Sequence, residues 1–158
     1  TTFSGKSTSR ALLFPMESVY ESYVAQQMKK VFGPAGWEVS SQDKGYYLFT
    51  EPRKQFALRP DIVCQRDGRT VIMDTKWKSL INSERANYGI SQSDMYQMYA
   101  YQKKYGAESV TLLYPKTVMF SVENGMEYRS EDGVLVRIRF IDLLDVQKSM
   151  NQLQVDLL

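Results

Sequence analysis

Asp74 and Lys76 stand two residues apart at the end of Val71-Ile72-Met73, a run that reads as a buried strand, and Asp61 follows Pro60 upstream. A carboxylate at the end of a buried strand is hard to keep ionised without a compensating charge. Between the two acids lies Asp67-Gly68, a two-residue hairpin signal. With that pair as the turn, Arg66 faces Arg69, Gln65 faces Thr70, Cys64 faces Val71, Val63 faces Ile72 and Ile62 faces Met73. The next pair is Asp61 with Asp74. Directly opposed residues have Cβ atoms about 5 Å apart, and two carboxylates there repel unless a cation lies between them. Strand alternation puts Lys76 on the same face as Asp74. Two hard oxygen ligands with open water positions suit Mg²⁺, with Mn²⁺ as a substitute. A metal there polarises a phosphoryl oxygen and lowers the pKa of water. Lys76 could orient or deprotonate that water, or stabilise charge on the phosphate. The expected product is a hydrolysed phosphodiester. The plainer alternative has Asp61 capping a turn and Asp74 with Lys76 on an exposed polar edge; a bulge in the hairpin would also undo the register.

Other polar residues are candidates for the same site. Glu17 and Glu21 lie four apart near the start of a helix, and Glu21 borders the apolar Val24 and Met28. Glu21 is a candidate third acid at the metal; the alternative is that both glutamates only favour the positive end of the helix dipole. Gln97 and Tyr101 share one face of a second helix. Tyr101 reads as core by default, whereas Gln97 could contact a phosphate or support Lys76. Arg53, Lys54 and Arg59 precede the first acid, Lys76 and Lys78 follow the second, and Lys103 and Lys104 end the second helix. They form either a solvated face or a track for a nucleic-acid backbone. Gly5-Lys6-Ser7-Thr8 imitates the end of a phosphate-binding loop but lacks the earlier glycine and the preceding strand.

Composition narrows the chemistry. The 158 residues include no histidine, which removes Ser-His-Asp and Cys-His catalysis and histidine zinc sites. The one cysteine, Cys64, cannot form an internal disulfide and fits a reducing compartment. No apolar run approaches a membrane span and no signal-peptide core begins the chain, so the expectation is a cytoplasmic protein that does not enter a membrane. The net charge of +2 neither demands nor excludes nucleic acid. The length suits one domain: a loosely held lead-in over residues 1–13, then a single domain over 14–158.

The elements that must carry these residues read as follows. A helix spans 15–32, with Pro15 in its first turn and Gly33-Pro34 as its stop; Met16, Tyr20, Tyr23, Val24 and Val31 form its buried stripe. Strands are expected over 37–41, 46–50, 56–65 and 70–77, and a mobile loop over 78–92. A helix follows over 94–105, with Ser93 as N-cap and Gly106 as stop. Strands over 109–114, 118–122 and 134–141 follow, and a tail from Asp142 that is helical and then frays. The order implies an α/β fold, a mixed β-sheet flanked by helices.

Pro60-Asp61 with Asp74-Thr75-Lys76 resembles the PD-(D/E)xK nuclease superfamily. The wider blocks Leu13-Phe14-Pro15-Met16-Glu17, Leu58-Arg59-Pro60-Asp61-Ile62-Val63, Asp74-Thr75-Lys76-Trp77-Lys78 and Asp94-Met95-Tyr96-Gln97-Met98-Tyr99-Ala100-Tyr101 are similar to the McrC family, the nuclease subunits of McrBC-type restriction systems for modified cytosine. The resemblance implies a restriction-endonuclease-like core and Mg²⁺-dependent cleavage of double-stranded DNA. It implies Asp61 and Asp74 as metal ligands, Lys76 as the catalytic lysine and Glu21 as an extra ligand. Gln97 and Tyr101 match the downstream Gln-x-x-x-Tyr of RecB-like nucleases. The implied partner is McrB, a GTP-hydrolysing AAA+ motor that recognises modified DNA. The motifs begin within the first twenty residues, so the expectation is a nuclease domain without the family's motor-engaging N-terminal region. A double-strand break needs two such sites or two events, which leaves oligomeric assembly open. The alternatives are a structure-specific or RecB-like nuclease of the same fold and a catalytically silent DNA-binding or scaffolding domain.

Overall fold

A computed structural model describes residues 14–158; the glycine-lysine segment at residues 5–8 and the 1–13 lead-in lie outside the described residues. The first helix, α1, spans Met16–Phe32. Five strands follow: β1 Glu38–Ser41, β2 Tyr47–Phe49, β3 Gln55–Ala57, β4 Ile62–Arg66 and β5 Arg69–Thr75. A 3₁₀ segment, Glu84–Gly89, leads into α2, Gln92–Tyr105. The chain ends with β6 Ser109–Pro115, β7 Met126–Arg129, β8 Leu135–Ile141 and α3 Val146–Asp156.

Six strands form one mixed sheet in the order β1-β4-β5-β6-β8-β7, while β2 and β3 pair separately. The β1-β4 and β4-β5 pairs are antiparallel, β5-β6 and β6-β8 are parallel, and β7 returns antiparallel to β8. The apolar runs of β5 and β6 are continuous because both faces are covered. Met73 and Leu113 join Tyr20, Val24, Met28 and Phe32 of α1 and Met150 and Leu153 of α3 in one core layer. Their neighbours Ile72 and Leu112 join Met98 and Tyr101 of α2 in the other. The two-residue period of β5 therefore sends Asp74, like Ile72, toward α2.

The β4–β5 register runs from Arg66↔Arg69 to Ile62↔Met73, as the Asp67-Gly68 turn requires. Both turn residues have positive φ, 50° and 77°, the combination a tight primed turn needs. Several expectations are corrected. The 56–65 segment is not one strand: residues 58–61 leave the ladder, consistent with Pro60, which has no N–H to donate. Residues 118–122 form no strand; Val118 and Met119 project to solvent, and the pairing segment is β7 instead. Helix α2 begins earlier than expected, capped by Ser91 and not by Ser93: the Ser91 hydroxyl accepts the Asp94 N–H at 3.4 Å. The 78–92 segment carries the 3₁₀ turns, tied by Ile81 N–H to Tyr88 O at 2.9 Å. The α1 stripe is rotated from the one expected: Tyr20, Val24, Ala25, Met28 and Phe32 are buried, while Met16 and Tyr23 are each 39% exposed. The tail is helical as expected: Asp145 caps α3, and Met150, Leu153 and Leu157 join the core. Among the described residues no helix is long and apolar enough to cross a membrane.

Candidate active site

The end of the β4–β5 hairpin opens into a cleft of about 380 Å³. Its walls are Glu17 and Glu21 from α1, Arg59 and Asp61 before β4, residues 74–78 at and beyond the end of β5, and Asp94, Gln97 and Tyr101 from α2. The cleft gathers Asp61, Asp74, Lys76, Glu21, Gln97, Tyr101, Lys78 and Arg59.

Asp61 and Asp74 are cross-tied through the backbone. The Asp61 N–H donates to Asp74 Oδ1 at 3.2 Å, and Asp61 Oδ2 accepts both the backbone N–H and the hydroxyl of Thr75 at 2.8 Å. Asp74 is buried, 3% exposed. Lys76 Nζ pairs with Asp74 Oδ2 at 3.1 Å, so the ammonium and the carboxylate do share a face. It also reaches Asp94 Oδ1 at 3.3 Å and Gln97 Oε1 at 3.4 Å. The lysine is set in place by its backbone: Lys76 N–H donates to Leu113 O at 3.0 Å, and the same oxygen accepts the Tyr20 hydroxyl at 3.1 Å. The Tyr20 ring in turn lies 5.3 Å from that of Trp77. One β6 carbonyl thus joins α1 to the segment bearing the lysine.

Glu21 hydrogen-bonds to the side chain of Gln42. The hydrogen bond it shares with the Asp61 carboxyl, then burial, then the charges of Asp61 and Asp74 push its pKa up to about 8. Burial first, and the Asp61 charge second, raise Asp74 to about 7 despite Lys76. For Lys76, burial opposes the charge, but Asp74 and Asp94 outweigh it and hold the ammonium above the usual lysine range. Burial and the nearby Asp74 and Asp61 charges raise the Tyr101 phenol, which is consistent with a neutral donor in the wall of the cleft. Lys78 Nζ is turned to the Gly89 carbonyl.

Asp61 and Asp74, meeting in one cleft, are hard oxygen donors of the type that suits a divalent cation. Among the described residues no group of three or more His, Cys, Asp or Glu side chains is arranged to hold a metal ion by itself. Mg²⁺ is commonly bound by one or two carboxylates together with water and substrate phosphate, so the donor chemistry fits it. Asp94 and Trp77 were not singled out by sequence reasoning. Asp94 lies three positions before Gln97, a spacing that puts both on one helical face; that signal was present in the sequence.

A family model described as McrBC 5-methylcytosine restriction system component matches residues 1–115. The chain belongs to this family. A chain of the refined half-complex from the tetradecameric assembly of Thermococcus gammatolerans McrB AAA+ hexamers with bound McrC shares the fold of this McrBC family member, with a TM-score of 0.65 and 16% identity over 90% of the present chain. The match covers 32% of that structure's chain, so the present sequence spans about a third of its length. A crystal structure of a protein of unknown function, AF1548, has a TM-score of 0.41 and 14% identity, covering 65% of this chain and 50% of that one; that likeness is too low to carry an argument. No curated protein matches the chain.

Proposed function

We propose that this McrBC-family chain is a Mg²⁺-dependent endodeoxyribonuclease domain, the cleavage part of a modified-cytosine restriction assembly. The observation that carries the reading is the meeting of Asp61, Asp74 and Lys76 in one cleft, with Glu21 against the first two. Asp61 and Asp74 would hold the cation, with Glu21 as a further oxygen donor. When bound, Mg²⁺ supplies positive charge that polarises the phosphoryl oxygens and makes water a stronger nucleophile at neutral pH.

The chain's own groups do the rest. Lys76 donates from its ammonium to a non-bridging phosphoryl oxygen as negative charge builds there. Thr75 fixes the Asp61 carboxylate through two hydrogen bonds to one oxygen, which leaves the other for the cation. Arg59 and Lys78, at the cleft wall, neutralise the flanking phosphates. Water adds to phosphorus, one P–O ester bond breaks, and the products are a phosphate monoester and a hydroxyl end.

In this reading the substrate is duplex DNA. Selection of modified sites belongs to a partner, a McrB-like AAA+ GTPase, and paired cleavage sites come from assembly with it. The test is cleavage of methylated and unmethylated duplexes by the chain, with and without such a partner and GTP, in Mg²⁺ and in chelator. Mg²⁺-dependent cutting that disappears in Asp74→Asn is the expected result. Cutting that survives chelation or the substitution sinks the assignment.

A further inference from the structure

Lys76 meets three acceptors with three ammonium protons. Its Nζ lies 3.1 Å from Asp74 Oδ2, 3.3 Å from Asp94 Oδ1 and 3.4 Å from Gln97 Oε1. An ammonium has three donors and accepts nothing, so this arrangement saturates it. One partner comes from β5 and two from a single face of α2, where residues three apart are neighbours.

The two carboxylates are not equivalent. Both oxygens of Asp74 are engaged, Oδ1 by the Asp61 N–H and Oδ2 by Lys76, and its side chain is 4% exposed. The Asp94 side chain is 22% exposed, nearly the same as Lys76 at 23%. A divalent cation drawn to Asp74 finds an ammonium already on Oδ2. Two cations on one carboxylate oxygen repel each other. The ammonium must then exclude the metal, leave the cleft, or rest on a second anion.

We propose that Asp94, supported by Gln97, is a positioning residue that keeps Lys76 in the cleft when the Asp74 carboxylate turns to the cation. The proposal rests on the metal-dependent reading above. It makes cation and lysine compatible occupants of one cleft; without Asp94 they compete for Asp74. Of the groups that Lys76 Nζ reaches, Asp94 is the one carboxylate besides Asp74, and Gln97 is neutral.

The test is a double-mutant cycle on the full chain: Mn²⁺ is titrated calorimetrically into wild type, Asp94→Asn, Lys76→Met and the double variant. Asp94→Asn is expected to weaken Mn²⁺ binding about threefold, the size of an ion pair at this exposure. In the Lys76→Met background the same change should have no effect, since the competitor is gone. Equal weakening in both backgrounds overturns the proposal, because Asp94 would then act on the cation directly or through the stability of α2.

With DNA, Asp94→Asn should lower kcat while KM stays near wild type, and Asp94→Glu should recover part of the loss; a change in KM alone counts against it. A third readout needs no metal. The Lys76 ammonium, assigned by its loss in Lys76→Met, should give a proton–nitrogen NMR signal in wild type that broadens in Asp94→Asn. An unchanged signal overturns the clamp. A wild-type chain that takes up no Mn²⁺ even with a DNA duplex present overturns the metal reading and this proposal with it; an ammonium signal that still depends on Asp94 would then place the failure in the metal and not in the clamp.

Discussion

The Asp61 N–H donates to Asp74 Oδ1 at 3.2 Å, so the residue just before β4 orients the acid near the end of β5. This tie uses the carboxyl oxygen of Asp74 but not its charge. An asparagine can accept the same hydrogen bond. Asp74→Asn should therefore fold normally and lose Mg²⁺-supported cleavage by about 10²-fold or more, since the charge that would draw the cation is gone. Circular dichroism and a cleavage time course check both halves; the Asp74→Ala variant should lose cleavage as fully.

Lys76 is predicted to matter for turnover more than for metal uptake. Lys76→Ala should reduce kcat by about 10²-fold, the scale of a lost charge-stabilising donor. Mn²⁺ affinity should hold or tighten, because a competing cation has been removed from Asp74. Parallel calorimetry and kinetics decide this, and equal loss of both would make the lysine structural.

Stability should fall as pH rises when no divalent cation is present. Asp74 is raised to about 7 and Glu21 to about 8. Unfolded carboxyls lose their protons near pH 4, so between about pH 4 and pH 8 the folded chain binds more protons than the unfolded one, and stability declines through that window. The melting temperature in chelator is expected to be lower at about pH 8 than at about pH 5.5, and added Mg²⁺ should raise it mainly at the higher pH, where protons no longer compete. A melting temperature that rises with pH in chelator would contradict the crowding of these acids.

The buried hydroxyl of Tyr20 is a test of the frame beneath the site. Tyr20→Phe removes its hydrogen bond to Leu113 O but leaves the Lys76 N–H on that oxygen. The expected cost is about 1 kcal/mol in urea unfolding, with a smaller change in cleavage than for any acid in the cleft.

The Asp67-Gly68 turn sets the register that brings Asp61 beside Asp74. Gly68 has φ of 77°, and a Cβ there would meet no atom within 4 Å. Gly68→Ala therefore strains the backbone without a clash and should cost about 1 kcal/mol of stability. Denaturant midpoints measure the effect.

Much of the frame was legible because local chemistry dictated it. Asp67-Gly68 admits one tight turn, and from it the pairing down to Ile62↔Met73 followed by counting. Gly106 ends α2 in a left-handed cap, φ 60°, as its position suggested. The errors came where partners decide the outcome. Residues 118–122 have strand-like composition but no neighbouring strand to bond, whereas Met126–Arg129 finds β8. Gly125 explains that approach: a Cβ on it would lie 1.9 Å from Ile138 O. Pro60 was a visible warning that the run before Asp61 could not continue as a strand. In the cleft, the hairpin geometry and the spacing of Gln97 and Tyr101 were readable. The contact of Asp94 with Lys76 was not, because it depends on how α2 lies across the end of β5.

The oxygen shared by Tyr20 and Lys76 belongs to the main chain of Leu113. No substitution at position 113 can delete it, since every amino acid carries the same carbonyl. The alignment of the glutamate-bearing helix with the lysine is thereby shielded from sequence drift at its own pivot. Exchanging Leu113 for another apolar side chain can loosen the core, but the helix and the lysine would still take their bearings from one fixed point.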